Sequence, residues 1–303
     1  MTTIGVIWNP SKVDEQQLRE QVAATFGEGD VQWWETTVDD PGRGMAQDAL
    51  EAGCDVVIAV GGDGTVRAVA EVLAGTEASL GIVPQGTGNL LARNLGVPLD
   101  DIPAALERVR DGEQRRIDVG WVEFDGQRRA FAVMVGFGID AQMLVETDDD
   151  LKDRAGWLAY VEAMGRALAG TEMTDITLTL DDGEPQELRG HTMLVGNCGM
   201  LQGGIRLLPD AVIDDGRLDL LLVSADGALQ WLDTVRSVVW DNGIRRLFGG
   251  DTDAVSTEST RHVSAERISV SLGAPQQFEV DGEEVGEVSS FTVMVQAGAL
   301  SVR

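Results

Sequence analysis

The chain has 303 residues, too many for one ordinary α/β domain and comfortable for two. Apolar residues make up 43% and charged residues 24%, a globular balance that excludes a disordered or fibrous chain. Acids outnumber bases 51 to 23, a formal charge of −28, which excludes bulk-charge attraction to nucleic acid or to anionic lipid.

In chain order, residues 4–8 form a short apolar run stopped by Asn9-Pro10, a buried strand ending in a turn. Residues 14–26 place Leu18, Val22 and Phe26 on one helical face. A second strand is expected over 31–36 and a second helix over 44–52. Residues 55–60 (DVVIAV) read as a strand buried on both sides, as in a parallel sheet. Gly61 to Gly64 turn the chain into a helix that carries Val66, Val69, Val72 and Leu73. A fourth strand over 79–83 leads to helices over 89–95 and 103–109. Strand and helix alternating on short links predict a doubly wound parallel sheet.

Beyond about residue 115 the rhythm changes. Strand-like stretches fall at 117–124, 128–135, 176–180, 192–197, 218–223, 268–272, 277–280 and 291–296. Asp-Gly turn signals stand at 125, 182, 215 and 281. Helical patterns interrupt at 151–169 and 228–248, and 249–258 reads as a polar loop. The expectation is an α/β domain over 1–118 and a β-rich antiparallel sandwich over 119–303, whose last strand is free to return to the first domain.

Cys54 and Cys198 sit in apolar stretches and read as buried thiols. The start does not read as a secretory leader, and no apolar run approaches the ~18 residues of a membrane span. A cytoplasmic location is expected. His191 and His262 stand alone and read as structural or exposed. Zinc-protease, Cys-x-x-Cys and Gly-x-Ser-x-Gly patterns are absent from the sequence. The acids of 146–150 read as a solvated loop. Trp33, Trp34, Trp231 and Trp240 read as core packing ahead of a membrane interface.

The chemistry signals lie at strand ends. Gly61-Gly62-Asp63-Gly64-Thr65 follows the third strand and opens a helix. Glycines let backbone N–H groups approach a ligand, and the helix start favours an anion. Taken by itself this spacing suits a ligand-free turn equally well. Pro84-Gln85-Gly86-Thr87-Gly88-Asn89 repeats the arrangement after the fourth strand. Two such loops at neighbouring parallel strand ends line one crevice, where ligands of open α/β sheets bind. Walker and dinucleotide fingerprints are both absent.

This pair of loops resembles the diacylglycerol kinase catalytic domain family, which includes bacterial lipid kinases and sphingosine kinases. Asn9-Pro10 is similar to the family's opening turn, and Thr36-Thr37 to its threonine after strand two. Gly203-Gly204, Pro209-Asp210-Ala211, the run 214–219 and Asp281-Gly282-Glu283 are similar to its later motifs. The resemblance covers residues 4–285. It implies an ATP- and Mg²⁺-dependent kinase that phosphorylates a lipid alcohol such as diacylglycerol, with a β-rich domain that takes the lipid.

Carried over by position, Asn9, Thr37, Gly61, Gly62, Asp63, Gly64, Thr65, Gly86, Thr87, Gly88 and Asn89 would contact ATP, with Asp63 orienting the nucleotide and its Mg²⁺. Asp215, with main-chain oxygens of Val212 and Arg217, matches the pattern of a structural Mg²⁺ site; unaided, Asp215-Gly216 is a hairpin turn. Glu283 matches the proposed catalytic base; unaided, it is one surface acid among many. Phosphoryl transfer needs such a carboxylate to accept the hydroxyl proton. The implied partner is a lipid drawn from a membrane, with transient contact at its surface, no nucleic acid, and room for a homodimer. An apolar pocket is expected, with Phe137, Met143, Leu144, Met200 and Leu201 as candidates.

The chain departs from the family pattern at Ser11-Lys12, at Arg67 and Ala68 (where Asn and Glu commonly stand, a contact that Glu71 could take over), and at Asn89. An NAD kinase, which shares the first loop, and a non-catalytic nucleotide-binding regulator are the alternative readings.

Overall fold

The computed structural model describes residues 2–27, 30–138, 173–201, 207–224 and 260–303. The helices expected over 151–169 and 228–248, the loop 249–258, the acids 146–150, Gly203-Gly204, Met143, Leu144, Trp231 and Trp240 lie outside them.

The first half alternates as its periodicity predicts: β1 (Ile4–Trp8), α1 (Glu15–Phe26), β2 (Val31–Glu35), α2 (Arg43–Glu51), β3 (Val56–Gly61), α3 (Asp63–Leu73), β4 (Ser79–Pro84), α4 (Leu90–Asn94) and α5 (Ile102–Asp111). The strands pair in parallel in the order β4-β3-β1-β2. Every residue of β1, β3 and β4 is buried, which explains their unbroken apolar sequence. β2 is the edge, and Trp33 is covered there by the Arg19 guanidinium 4.2 Å above its ring. Right-handed crossovers put α1 and α5 together on one face and α2 and α3 on the other. The direction of winding reverses between β1 and β3, so the crevice opens at their carboxyl ends.

The second half is β5 (Arg115–Phe124), β6 (Gln127–Phe131), β7 (Met134–Phe137), β8 (Thr174–Leu180), β9 (Gln186–Gly190), β10 (Thr192–Gly196), β11 (Leu218–Val223), β12 (Thr260–Ala265), β13 (Arg267–Val280) and β14 (Glu283–Val302). Its pairings are antiparallel apart from the end of β14, where Ser301 and Val302 run parallel to Ser79 and Leu80 of β4. The Ser79 and Ser301 hydroxyls meet there at 2.9 Å. Two apolar clusters result: one around the parallel sheet, which also takes Ala299, Leu300 and Val302, and one inside the sandwich around Phe131, Phe137 and Phe278.

Three strand expectations are corrected. The run 128–135 is two strands, because the Asp281 carboxylate takes the N–H groups of Ala132, Val133 and Met134 and turns the chain. The two strands expected within 268–280 are one, carried across 273–275 by a register shift. β9 and β12 lacked the apolar alternation that marks a strand. Both cysteines are free and buried, as expected. Among the described residues, no helix is long and apolar enough to cross a membrane.

Candidate functional site

Gly61 closes β3 and Gly62 caps α3 with no side chain of its own to offer, so beyond Asp63, whose N–H meets its own carboxylate, the amides of the first turn receive no bond from the cap residue. The loop after β4 comes up against them, with Gln85 N donating to Gly61 O at 2.8 Å. Backbone meets backbone here: a Cβ on Gly86 would lie 2.7 Å from Gly62 Cα, a separation that only glycine permits. The two glycine loops thus converge.

Asp63 locks them. Its carboxylate accepts from Asn89 N at 2.8 Å and Leu90 N at 2.6 Å, so an acid in the first turn of α3 caps α4. Burial pushes this carboxyl up, opposed by those amides, its own N–H and Arg93. Asn89 is buried in the left-handed region (φ 49°), and its side chain closes on Gly86, accepting from N and donating to O. Its amide therefore holds the loop together. Thr87 is exposed at the crest, Gly88 is buried against Asp63, and Arg93 Nε donates to Gly88 O. Gly64 is exposed and Thr65 buried.

Asn9 and Thr37 end β1 and β2 on the same rim. Asn9 Oδ1 accepts from Ser11 N and Oγ, so the serine completes a tight turn with Lys12 following. Thr37 Oγ1 accepts from Asp40 N, and Asp40 caps α2 by accepting from the amides of Gly42, Arg43 and Gly44. Burial raises the Asp40 carboxyl, but those bonds and Arg43 outweigh it and hold it below its ordinary value.

From the sandwich, the hairpin turn Asp281-Gly282 (φ 48° and 80°) presents Glu283. Its two oxygens accept from Arg67 of α3 and from Arg129 of β6, the latter at 3.1 Å. Arg67, fifth residue of the helix that opens at Gly62, brings this acid to the glycine loops. Glu71, one turn further, is held by Arg43 instead. Asp281 is buried with three backbone N–H bonds, at 2.9, 3.0 and 2.9 Å. Burial pushes its carboxyl up to about 6, against the pull of those amides and Arg67.

The loop 212–217 lies apart, against Asp118, Arg115 and Ala297. Asp118 Oδ2 accepts from Gly216 N at 2.6 Å and Oδ1 from Gly298 N at 2.7 Å. Asp215 Oδ1 accepts from Arg217 N, and Arg217 is tied to Ser264. Val212 is exposed. Burial first, then Asp215 and Asp210, push Asp219 up to about 6, with Arg217 pulling the other way. Among the described residues no three His, Cys, Asp or Glu side chains converge on one point. The donors expected from the sequence, the Asp215 carboxylate with main-chain oxygens of Val212 and Arg217, are of the hard-oxygen type that would suit Mg²⁺ with several waters.

Sequence reasoning missed four residues. Arg129 and Arg67 hold Glu283. Asp118 is an acid at a buried position of β5. Asn94 clamps the backbone of Met200, accepting from its N and donating to its O. The readable signal was a charge inside an apolar run, as in residues 66–70 and 117–122. Phe137 and Leu201, expected in a lipid pocket, are packed in the two cores. A cleft of about 580 Å³ in the sandwich is lined mostly by polar groups, the β5–β6 hairpin and hydroxyls of β8, β13 and β14, with Phe124, Val270 and Phe291 among them.

Two family models match: the diacylglycerol kinase catalytic domain over residues 3–122, and the YegS C-terminal NAD kinase beta sandwich-like domain over 133–303. A Stenotrophomonas maltophilia protein named "Probable lipid kinase YegS-like" is 34% identical over 72% of each chain. A diacylglycerol kinase of Mycobacterium tuberculosis is 30% identical over 78% of this chain and 74% of its own. A Bacillus anthracis diacylglycerol kinase structure shares the fold at 23% identity, with a TM-score of 0.69, covering 99% of this chain and 96% of that one. An Archaeoglobus fulgidus NAD kinase in complex with ATP shares it more distantly, at 13% identity and a TM-score of 0.50, covering 99% of this chain and 93% of that one.

Proposed function

We propose, since this chain belongs to the diacylglycerol kinase catalytic domain family, that it transfers the γ-phosphoryl group of ATP to the hydroxyl of a lipid alcohol, diacylglycerol yielding phosphatidic acid. The observation that carries the reading is the meeting of three parts: two glycine loops in backbone contact, and a carboxylate from the other lobe tied to the helix that leaves the first loop.

In this reading the amides after Gly62, with Gly64, Thr65, Gly86, Thr87 and Gly88, hold the triphosphate, and Asn9 and Thr37 hold the rest of the nucleotide. Asp63 and Asn89 act by keeping both loops in register, so that neither amide row must reorganise when charge develops. Glu283 accepts the hydroxyl proton as the oxygen attacks phosphorus and ADP departs with the bond it breaks. Mg²⁺ supplies charge neutralisation when bound. Asp215, with the carbonyls of Val212 and Arg217, would hold such an ion in the sandwich.

The test is phosphate transfer from γ-labelled ATP with Mg²⁺ to diacylglycerol, sphingosine and NAD in separate reactions. Label in the lipid is expected. Label in NAD alone overturns the substrate class, and ATP bound with no transfer to any acceptor favours a regulator.

A further inference from the structure

Arg67 interrupts an apolar stretch, Val66 to Ala70, of the helix that opens at the first glycine loop. The residue is only 8% exposed. A cation so far out of water requires an anion beside it: the buried Asp281 carboxylate lies within its field, and the anion it bonds is Glu283, whose Oε2 accepts from Arg67 Nη2. The other oxygen, Oε1, accepts from Arg129 Nη1 at 3.1 Å. Glu283 itself is half-exposed. A solvent-facing carboxylate is therefore fixed at each oxygen by a guanidinium from a different element, one on α3 and one on β6. Two residues earlier, Asp281 pins the same hairpin to the β6–β7 link.

We infer that Arg67 and Arg129 are the positioning residues of Glu283, together aiming its carboxylate at the acceptor hydroxyl over the glycine loops. The inference rests on the reading of Glu283 as proton acceptor. Its distinctive part is Arg67. The helix whose first turn offers amides to the nucleotide carries, one turn on, the side chain that fixes the acid. Phosphate and base are thereby referenced to one rigid element, and a displacement of about 1 Å between such groups costs on the order of 10²-fold in rate. The planar fork of arginine is what fixes direction; lysine keeps the charge without it.

The full chain is assayed with Mg·ATP and dioleoylglycerol in detergent micelles. Arg67→Gln is expected to lower kcat at least tenfold with KM for ATP changed less than threefold, and Arg67→Lys to recover part of that loss. Arg129→Gln is expected to lower kcat threefold or more, and it decides the matter if melting shows that Arg67→Gln has not folded. Unchanged kcat in the folded arginine variants overturns the inference. So does a raised KM for ATP at unchanged kcat, which assigns Arg67 to nucleotide binding. Hydrogen exchange at the amides of 283–285 needs no acceptor: tenfold faster exchange in a folded arginine variant is expected, and unchanged exchange overturns the clamp. Glu283→Gln in parallel separates the claims. An inactive Glu283→Gln beside fully active arginine variants removes the clamp alone, whereas an active Glu283→Gln removes the role of the acid as well.

Discussion

Gly86→Ala probes the junction of the two loops. The added Cβ would stand 2.7 Å from Gly62 Cα and 2.9 Å from Asn89 Oδ1. Carbon atoms in contact prefer roughly 3.5–4.0 Å, so the loops must part by about 1 Å. That movement stretches the 2.8 Å bond from Gln85 N to Gly61 O and the grip of Asp63 on Asn89 and Leu90. Overpacking of this kind costs about 1–3 kcal/mol of stability. If both loops hold one triphosphate, ATP affinity falls at least about tenfold, equivalent to about 1.4 kcal/mol. Calorimetric titration with Mg·ATP, beside urea unfolding, reads both quantities. Gly64→Ala is the comparison: a Cβ there meets nothing within 4 Å, so stability is retained and any lost ATP affinity reports the approach of the ligand itself. An unchanged Kd in Gly86→Ala would refute the idea that the loops act as one site.

Asp281→Asn turns an amide N–H₂ toward a buried backbone donor and is expected to lower unfolding stability by about 1–3 kcal/mol, read by urea denaturation. The same group yields a pH dependence. Its folded value of about 6 exceeds the ordinary 3.8, so between those values the folded state holds a proton that the unfolded chain releases, and stability falls as pH rises through that window. Wild type should lose roughly 1 kcal/mol more than Asp281→Asn between pH 5 and 7.5; parallel curves would contradict this. Asp118→Asn places an amide against Gly216 N or Gly298 N and should lower the melting temperature and shrink the upward shift expected on adding Mg²⁺ if the proposed 212–217 site holds the ion. An unaltered Mg²⁺ shift would show that Asp118 does not brace the 212–217 loop.

Much of the fold was legible because burial on both sides leaves a plain apolar run: β1, β3 and β4 stand where residues 4–8, 55–60 and 79–83 predict. The glycine loops were equally visible, since a strand, a glycine turn and a helix leave a local pattern. Long-range polar bonds were not. The break between β6 and β7 is made by Asp281, 148 positions from Val133, and no local pattern announces it. Arg67 looked like a departure from a motif, and its meaning depends on Glu283, 216 positions away. Asp63 stood out in the sequence as a candidate acid, yet its bonds to the second loop depend on how two strand ends lie side by side.

Phosphate transfer by Glu283→Gln, measured with Mg·ATP affinity on the same preparation, bears most directly on the two-lobe site. Transfer to the lipid acceptor is expected to fall by about 10²–10⁴-fold, while the Kd for Mg·ATP stays within about threefold, because the amide rows proposed to hold the triphosphate belong to the other lobe. Turnover at the wild-type rate would contradict the account.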